Sequence, residues 1–262
     1  MEEVRVESWA QLQEELYRDS WQESLGHFRS NYAFRGVPDA SEGLVTSLMR
    51  LGKGYQRVEA PLLRAFRKYA PRSAVPGDST WNWLAIAAHH GLPTRLLDWT
   101  YSPLVACHFA TDDPGSYDRD AAIWCINYSA ARSCLPDPLR RILKDEGAYV
   151  FTAEMLSRGA PGPAELQPHG EEPYVLFLEP PSVDERIVNQ YALFALMSTS
   201  TARLDEWLED HADLARRIII PAALKWEVRD KLDQANITER VLFPGLDGLS
   251  SWLRRYYTPR RA

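Results

Sequence analysis

The chain has 262 residues, 45% of them hydrophobic and 25% charged, with a formal net charge of −6. This is an ordinary composition for one globular domain with a sizeable core. It argues against nucleic-acid binding through the whole surface, which rests on a basic face, but leaves room for a local basic groove. The stretch from Arg254 to Ala262 holds four arginines. It reads first as a solvated terminus and second as a phosphate contact. The cysteines are Cys107, Cys125 and Cys134, with no CxxC pair. That speaks against a disulfide framework or structural zinc and for a reducing compartment. MEEVRVESWA has neither a basic n-region nor an apolar h-region, and no run of about 18 apolar residues occurs. The expected location is the cytoplasm, without a membrane partner.

In chain order, Ser8 and Gln11 form a capping-box pattern, with Trp9, Leu12 and Leu16 on one helical face. This predicts a helix over about 8–18. Asn31 to Gly36 alternates aromatic and polar positions and reads as a short strand. Val58, Leu62, Leu63, Phe66 and Tyr69 recur at helical spacing, with Pro61 near the start. Asp78 to Thr80 can cap the helix WNWLAIAAHH, which stops at Gly91 with Pro93 beyond. Ser102 and Pro103 then open the buried helix LVACHFA, and Asp112, Asp113, Pro114 and Gly115 end it.

The second half is strand-like in AAIWCINY, YVLFLEP and RIIIP, around a Pro/Gly-rich loop from Arg158 to Pro173. Pro221 opens a helix to about Leu232. LFPGLDGL reads as a strand end and turn before the short helix LSSWLRR. Helices first and strands later favour α+β over a doubly wound parallel sheet, in a single domain over 1–262.

Several constellations carry possible chemistry. His89, His90, Asp98, His108 and Asp112 are metal-ligand types, yet adjacent helical histidines diverge by about 100° and no HExxH pattern occurs, so no metal site is assigned. There is no GxSxG elbow, and Cys107 reads as an inert core thiol. LGKGY lacks the end of a P-loop and reads as a turn. Arg35, at a strand end before Gly36, is either salt-bridged to a neighbour or set to grip phosphate in a bidentate fork. Gly36 lets a ligand or backbone approach closely. Arg95 and Asp98 read as a mutual ion pair, or Asp98 as an acceptor for turn N–H groups, since a carboxylate buried beside Trp99 needs partners. Asp247 is either a turn aspartate or a carboxylate presented from a strand end into a cleft.

YAFRG with its downstream TSLMR, then HHGLPTRLLDWTYSPLVACHFA, RIVNQYALF and FPGLDGL, together resemble the FRG domain family. The family takes its name from the triplet that is Phe34, Arg35 and Gly36 here. The resemblance runs from about Trp21 to Leu253, and the central block is its most specific part. One departure is Ala88, His89, His90 where the family has Gln-His-Tyr. The resemblance implies an α+β fold with the split mixed or antiparallel β-sheet core of ADP-ribosyltransferases and a helical N-terminal half. It implies an NAD-dependent ADP-ribosyltransferase that cleaves the nicotinamide–ribose bond and transfers ADP-ribose to a protein or nucleic-acid acceptor, in conflict between bacteria and phage or host. Arg35 would bind the NAD, with Gly36 beside it. The block holding Thr94, Arg95, Trp99, Tyr101 and Ser102 would shape the nicotinamide pocket. An aromatic wall from Tyr32, Trp99 or Tyr101 would sandwich the nicotinamide. Arg186 and Gln190 would line or brace the cleft, and His89 would donate to the ligand or brace the turn. The late acid is Asp247, with Glu239 as the alternative. A carboxylate suits this reaction because positive charge develops on the ribose as nicotinamide leaves. The other readings are a non-catalytic nucleotide or nucleic-acid binding module and a metal-dependent hydrolase using His89, His90, Asp98 and His108.

Overall fold

The computed structural model describes residues 1–259. Arg260, Arg261 and Ala262, the end of the arginine-rich tail, lie outside them, as does the side chain of Arg72. The strands are β1 (Glu2–Arg5), β2 (Trp21–Gln22), β3 (His27–Phe28), β4 (Tyr32–Val37), β5 (Leu97–Thr100), β6 (Ala121–Asn127), β7 (Val175–Leu178), β8 (Ala192–Met197) and β9 (Ala215–Ile220). Seven form one mixed sheet in the order β1-β9-β6-β4-β5-β8-β7, and β2 and β3 pair separately. Within the large sheet β1 runs parallel to β9, and every other neighbouring pair is antiparallel. The chain is therefore α+β with a mixed sheet.

Both faces of the sheet are covered, which is why β6 and β7 read as continuous apolar runs rather than alternating ones. One face buries Ala33, Val37, Leu97, Trp99, Trp124 and Phe177. The other is split along its length. Phe34, Ile123 and Ile218 pack under the helices Trp9–Tyr17, Pro103–Ala110 and Lys225–Gln234. Leu176, Leu178, Phe194 and Leu196 pack under the helices Thr80–His89 and Ala153–Gly159.

Local signals account for the N-terminal elements. Ser8 accepts from the Gln11 N–H, Ser79 from the Trp81 N–H and Ser102 from the Val105 N–H, each opening its helix as the capping residues suggest. Gly36 has a stricter job. A Cβ there would lie 1.9 Å from the Ala106 carbonyl oxygen and 2.6 Å from the Ala110 nitrogen. The glycine admits the backbone of the helix Pro103–Ala110 onto β4.

Other expectations need correction. The strand read over Asn31–Gly36 is β4, but β1 and β5 are two further strands of the large sheet within the first 100 residues. The stretch between the two central helices is not merely a turn, because its LDWT forms β5, paired with β8 from Leu97↔Ala195 to Thr100↔Ala192. FPGLDGL contains no strand end. It joins a helix Glu239–Leu242 to a helix Leu246–Tyr257. Gly248 there is again a packing glycine, whose Cβ would meet the Phe243 carbonyl oxygen at 1.8 Å.

Arg95 and Asp98 do not pair. Arg95 grips Glu59 in a two-pronged pair, with Nε donating to Oε1 at 2.7 Å and Nη2 to Oε2. The two side chains are only 11% and 12% exposed. Asp98 is 77% exposed rather than buried beside Trp99, because alternation along β5 sends them to opposite faces.

Gly36→Ala should lose about 1–3 kcal/mol in urea denaturation, since the obstructing atoms are backbone. Glu59→Ala should lose about 3 kcal/mol, because it strands the Arg95 guanidinium in a largely buried position. Glu59→Gln should fall between wild type and alanine.

Candidate functional site

Strands β4 and β6 share six registered pairs, from Tyr32↔Asn127 to Val37↔Ala122. Between β4 and β5 there is one, Phe34↔Thr100. Beyond it the strands part. Arg35 reaches across the gap, and its Nη1 donates to the Asp98 carbonyl oxygen. The Asp98 carboxylate lies 3.9 Å away as a looser ion pair.

A cleft of about 700 Å³ opens at this parting. Its volume falls within the roughly 300–1,000 Å³ typical of small-molecule sites. Of the residues singled out in the sequence, it is lined by Phe34, Arg35, Gly36, His89, His90, Asp98, Trp99, Asp112, Arg186 and Gln190. They come from β4, β5, the end of the helix Thr80–His89, the chain just past the helix Pro103–Ala110 and the helix Glu185–Asn189 with its cap. Folding thus gathers side chains more than 150 positions apart, as from Arg35 to Arg186.

Arg35 is 22% exposed, and burial lowers its pKa in spite of Asp98. Its Nε meets no hydrogen-bond partner among the described residues. Arg186 is alike. Its Nη1 donates to the His89 carbonyl oxygen at 3.3 Å and its guanidinium stacks 4.8 Å from the Phe243 ring centre, while its buried Nε is unpartnered among the described residues. Two guanidinium groups line one cavity, an arrangement suited to an anion.

His89 acts as a brace. Its Nε2 lies 2.7 Å from Asp184 Oδ2, and Asp184 caps the helix that carries Arg186 by accepting from the Ile187 N–H. Burial lowers the His89 pKa more than Asp184 raises it. The ring is therefore neutral at pH 7, with Nε2–H donating to the carboxylate. Gln190 braces the same region. Its Nε2 donates to the Leu242 carbonyl at 3.0 Å, and its own carbonyl accepts from Thr100 Oγ1 at 2.7 Å.

Several expected residues lie elsewhere. Thr94 is buried and laced to Ser47, its N–H donating to Ser47 Oγ at 3.1 Å. Ser102 caps its helix. Tyr101 donates to Glu179 Oε1 at 2.7 Å, and Tyr32 lies under the Arg216 guanidinium at 4.3 Å. None of these four lines the cleft, and neither does Arg95. Trp99 does, so the aromatic wall is Trp99 with Phe34, Phe109 and Phe194. Phe109 and Phe194 sit in apolar runs that look like ordinary core, whereas Phe34 belongs to the Phe34-Arg35-Gly36 triplet.

The two late acids also lie apart. Asp247 is exposed in the first turn of the helix Leu246–Tyr257, and Glu239 is bound by Arg255 at 2.5 and 2.8 Å. Both line a neighbouring cavity. The acid that lies in the Arg35 cleft besides Asp98 is Asp112, just past the helix Pro103–Ala110. Burial raises its pKa to about 6, against the pull of Arg229. A perturbed carboxyl in a cleft is the kind of group chemistry uses. The sequence offers Asp112 as a helix terminator and as one of several metal-ligand types, but not as the cleft acid, because its environment is made by residues distant in the chain.

The buried thiols are inert, with burial pushing Cys125 up to about 12 and Cys107 higher still. Among the described residues no three His, Cys, Asp or Glu side chains are grouped to hold a metal ion, and no helix is long and apolar enough to cross a membrane.

No curated protein and no solved structure matches the chain. Arg186, Gln190, Glu239 and Asp247 lie outside the one segment for which a family match is found. That segment, residues 30–119, carries the Phe34-Arg35-Gly36 triplet and the block around β5, and its match to the FRG domain supports the FRG family.

Proposed function

We propose that the cleft binds NAD and that the chain is an ADP-ribosyltransferase, cleaving the nicotinamide–ribose bond and passing ADP-ribose to a macromolecular acceptor. The observation that carries this reading is the pairing of two guanidinium groups, Arg35 and Arg186, each with a buried unpartnered Nε, with a carboxyl of raised pKa, Asp112, around one cleft. Pyrophosphate needs the first and a ribose gaining positive charge needs the second.

In this reading Arg35 holds phosphate oxygens from β4. Its bond to the Asp98 carbonyl fixes the fork, so little freedom is lost on binding. Arg186 approaches from the opposite wall, held by Phe243 and the His89 carbonyl. Trp99 and Phe194, almost wholly buried themselves, give this part of the cleft an apolar wall that keeps water off a planar ring. Asp112 takes the role first given to Asp247, because it is the half-buried acid in the same cleft as Arg35. Its ionised form stabilises the charge developing on the ribose. Nicotinamide leaves without needing a strong acid, so one carboxylate is enough.

The test incubates purified protein with NAD and mixed lysate, following free nicotinamide by mass spectrometry and any gain of one ADP-ribose unit on protein or nucleic acid. Arg35→Ala and Asp112→Asn should each cut nicotinamide release by about 10²–10³-fold, while Asp247→Ala stays within about threefold of wild type. Release without any mass gain would make the chain an NAD glycohydrolase. Heat protection by NAD with no turnover would make it a binding module, and neither turnover nor protection would remove NAD.

The pH profile is a second check. Turnover per encounter should fall as pH drops through about 6, where Asp112 becomes protonated. Burial opposes its charge in the fold, so Asp112→Asn should melt higher than wild type at pH 8 while losing activity.

A further inference from the structure

A second cavity, of about 500 Å³, adjoins the cleft at Asp112, which lines both. His108, Trp226 and Phe243 also line it. His108 is fully buried on the helix Pro103–Ala110. Its Nδ1 lies 2.8 Å from Arg229 Nη1. A guanidinium only donates, so Nδ1 accepts and the ring proton sits on Nε2. Burial, with Arg229 next in effect, pushes the pKa down to about 3, which keeps the imidazole neutral. The Nε2–H has no acceptor among the described residues. His108 lines the cavity, and its buried Nε2–H is a donor of fixed tautomer that an acceptor entering the cavity would satisfy.

The surrounding charges narrow the choice. Asp112 repels an anion. Glu239 is already paired with Arg255, whose second carboxylate partner is Asp233 at 2.7 Å. Arg254 and Arg255 line the cavity and repel a cation. The exposed lining is chiefly apolar, with two large aromatic side chains.

We propose that this cavity is a second ligand site for a neutral planar heterocycle bearing a ring carbonyl, the chemistry of a nucleobase. The carbonyl oxygen accepts from His108 Nε2–H, and the ring packs against Phe243 and Trp226, as bases do on aromatic side chains. Free nucleosides and bases in a strand share this chemistry. Binding here does not rest on the NAD reading. Where that reading also holds, the base sits beside Asp112, which lines both cavities.

The test needs no NAD. Protein labelled with ¹⁵N-histidine is titrated with thymidine, with a short oligothymidylate, and with toluene, a ring that lacks the acceptor. Thymidine should shift the His108 Nε2 resonance saturably. His108→Phe should weaken thymidine about tenfold and leave toluene unchanged, because one hydrogen bond is lost and the apolar contact is kept. Trp226→Leu should weaken both. A tighter, salt-sensitive shift with oligothymidylate would identify a strand as the source, and thymidine binding alone would identify a nucleoside. No shift with either probe, or unchanged thymidine affinity in His108→Phe, overturns the proposal. If His108→Phe does not fold, the wild-type shift and Trp226→Leu decide. Because NAD is absent throughout, failure here leaves the cleft assignment standing, and failure of NAD turnover leaves this one.

Discussion

The cleft exists because β4 and β5 hydrogen-bond at one pair and then separate, with Arg35 bridging the gap to the Asp98 carbonyl. Where the strands part, the Asp98 carbonyl takes its hydrogen bond from a donor other than the β4 backbone. Here that donor is a side chain, so the opening is lined by a cation instead of by backbone. On the far side of β4, the helix Pro103–Ala110 lies so close that only a glycine fits at position 36. Phe34, Arg35 and Gly36 thus do three separate things. Phe34 fills the core, Arg35 spans the parting, and Gly36 seats the helix that ends at Asp112. A sheet that closed β4 onto β5 along its length would remove both the cavity and the reason for the arginine.

Much of this was legible in the sequence, and the limits have physical causes. The helices opened by Ser8, Ser79 and Ser102 carry their own caps and are read correctly from local chemistry. The strand β5 was missed because it is four residues long and holds an exposed aspartate within an otherwise apolar run. LFPGLDGL misled for a related reason. Glycine and proline usually mark turns, but Gly248 is helical and is there to let two helices touch. Proximity in sequence misled at Arg95. Its partner Glu59 is 36 positions away, whereas Asp98 is three away on the other side of the strand. The cleft fared better, because Arg35, His89, Trp99, Arg186 and Gln190 do converge. Their convergence was implied by resemblance, and no spacing in the chain announces it.

The placement of acids shows why residue type alone does not assign a role. Glu239 and Asp233 both bind Arg255, Asp233 also meets Arg229 at 3.4 Å, and Arg229 closes the chain on His108. These buried charges hold one another and fix how the C-terminal helices sit on the helix Pro103–Ala110. A carboxylate committed to such a network is poorly placed to meet a new charge, since turning to a ligand would strand its arginine. Asp247 has the opposite character, being exposed and without a low-dielectric setting to strengthen its field. Asp112 lies between these extremes, half-buried and perturbed by desolvation rather than committed to a salt bridge.

The same network connects the two cavities. Arg229 fixes the His108 tautomer and is the leading counterweight to burial at Asp112. Phe243 touches His108 and Phe109 and carries the Arg186 guanidinium on its face. Asp112 and this aromatic group therefore form the partition between the cleft and the second cavity. A ligand that meets the His108 donor adds low-dielectric bulk against Asp112 and raises the desolvation of its carboxyl. A positive group in the cleft does the reverse and favours the charged form. Were both proposed ligands to bind, occupation of one cavity would be felt in the other through the ionisation of a single shared carboxyl. Such coupling requires no movement of the backbone and is reciprocal by thermodynamic necessity.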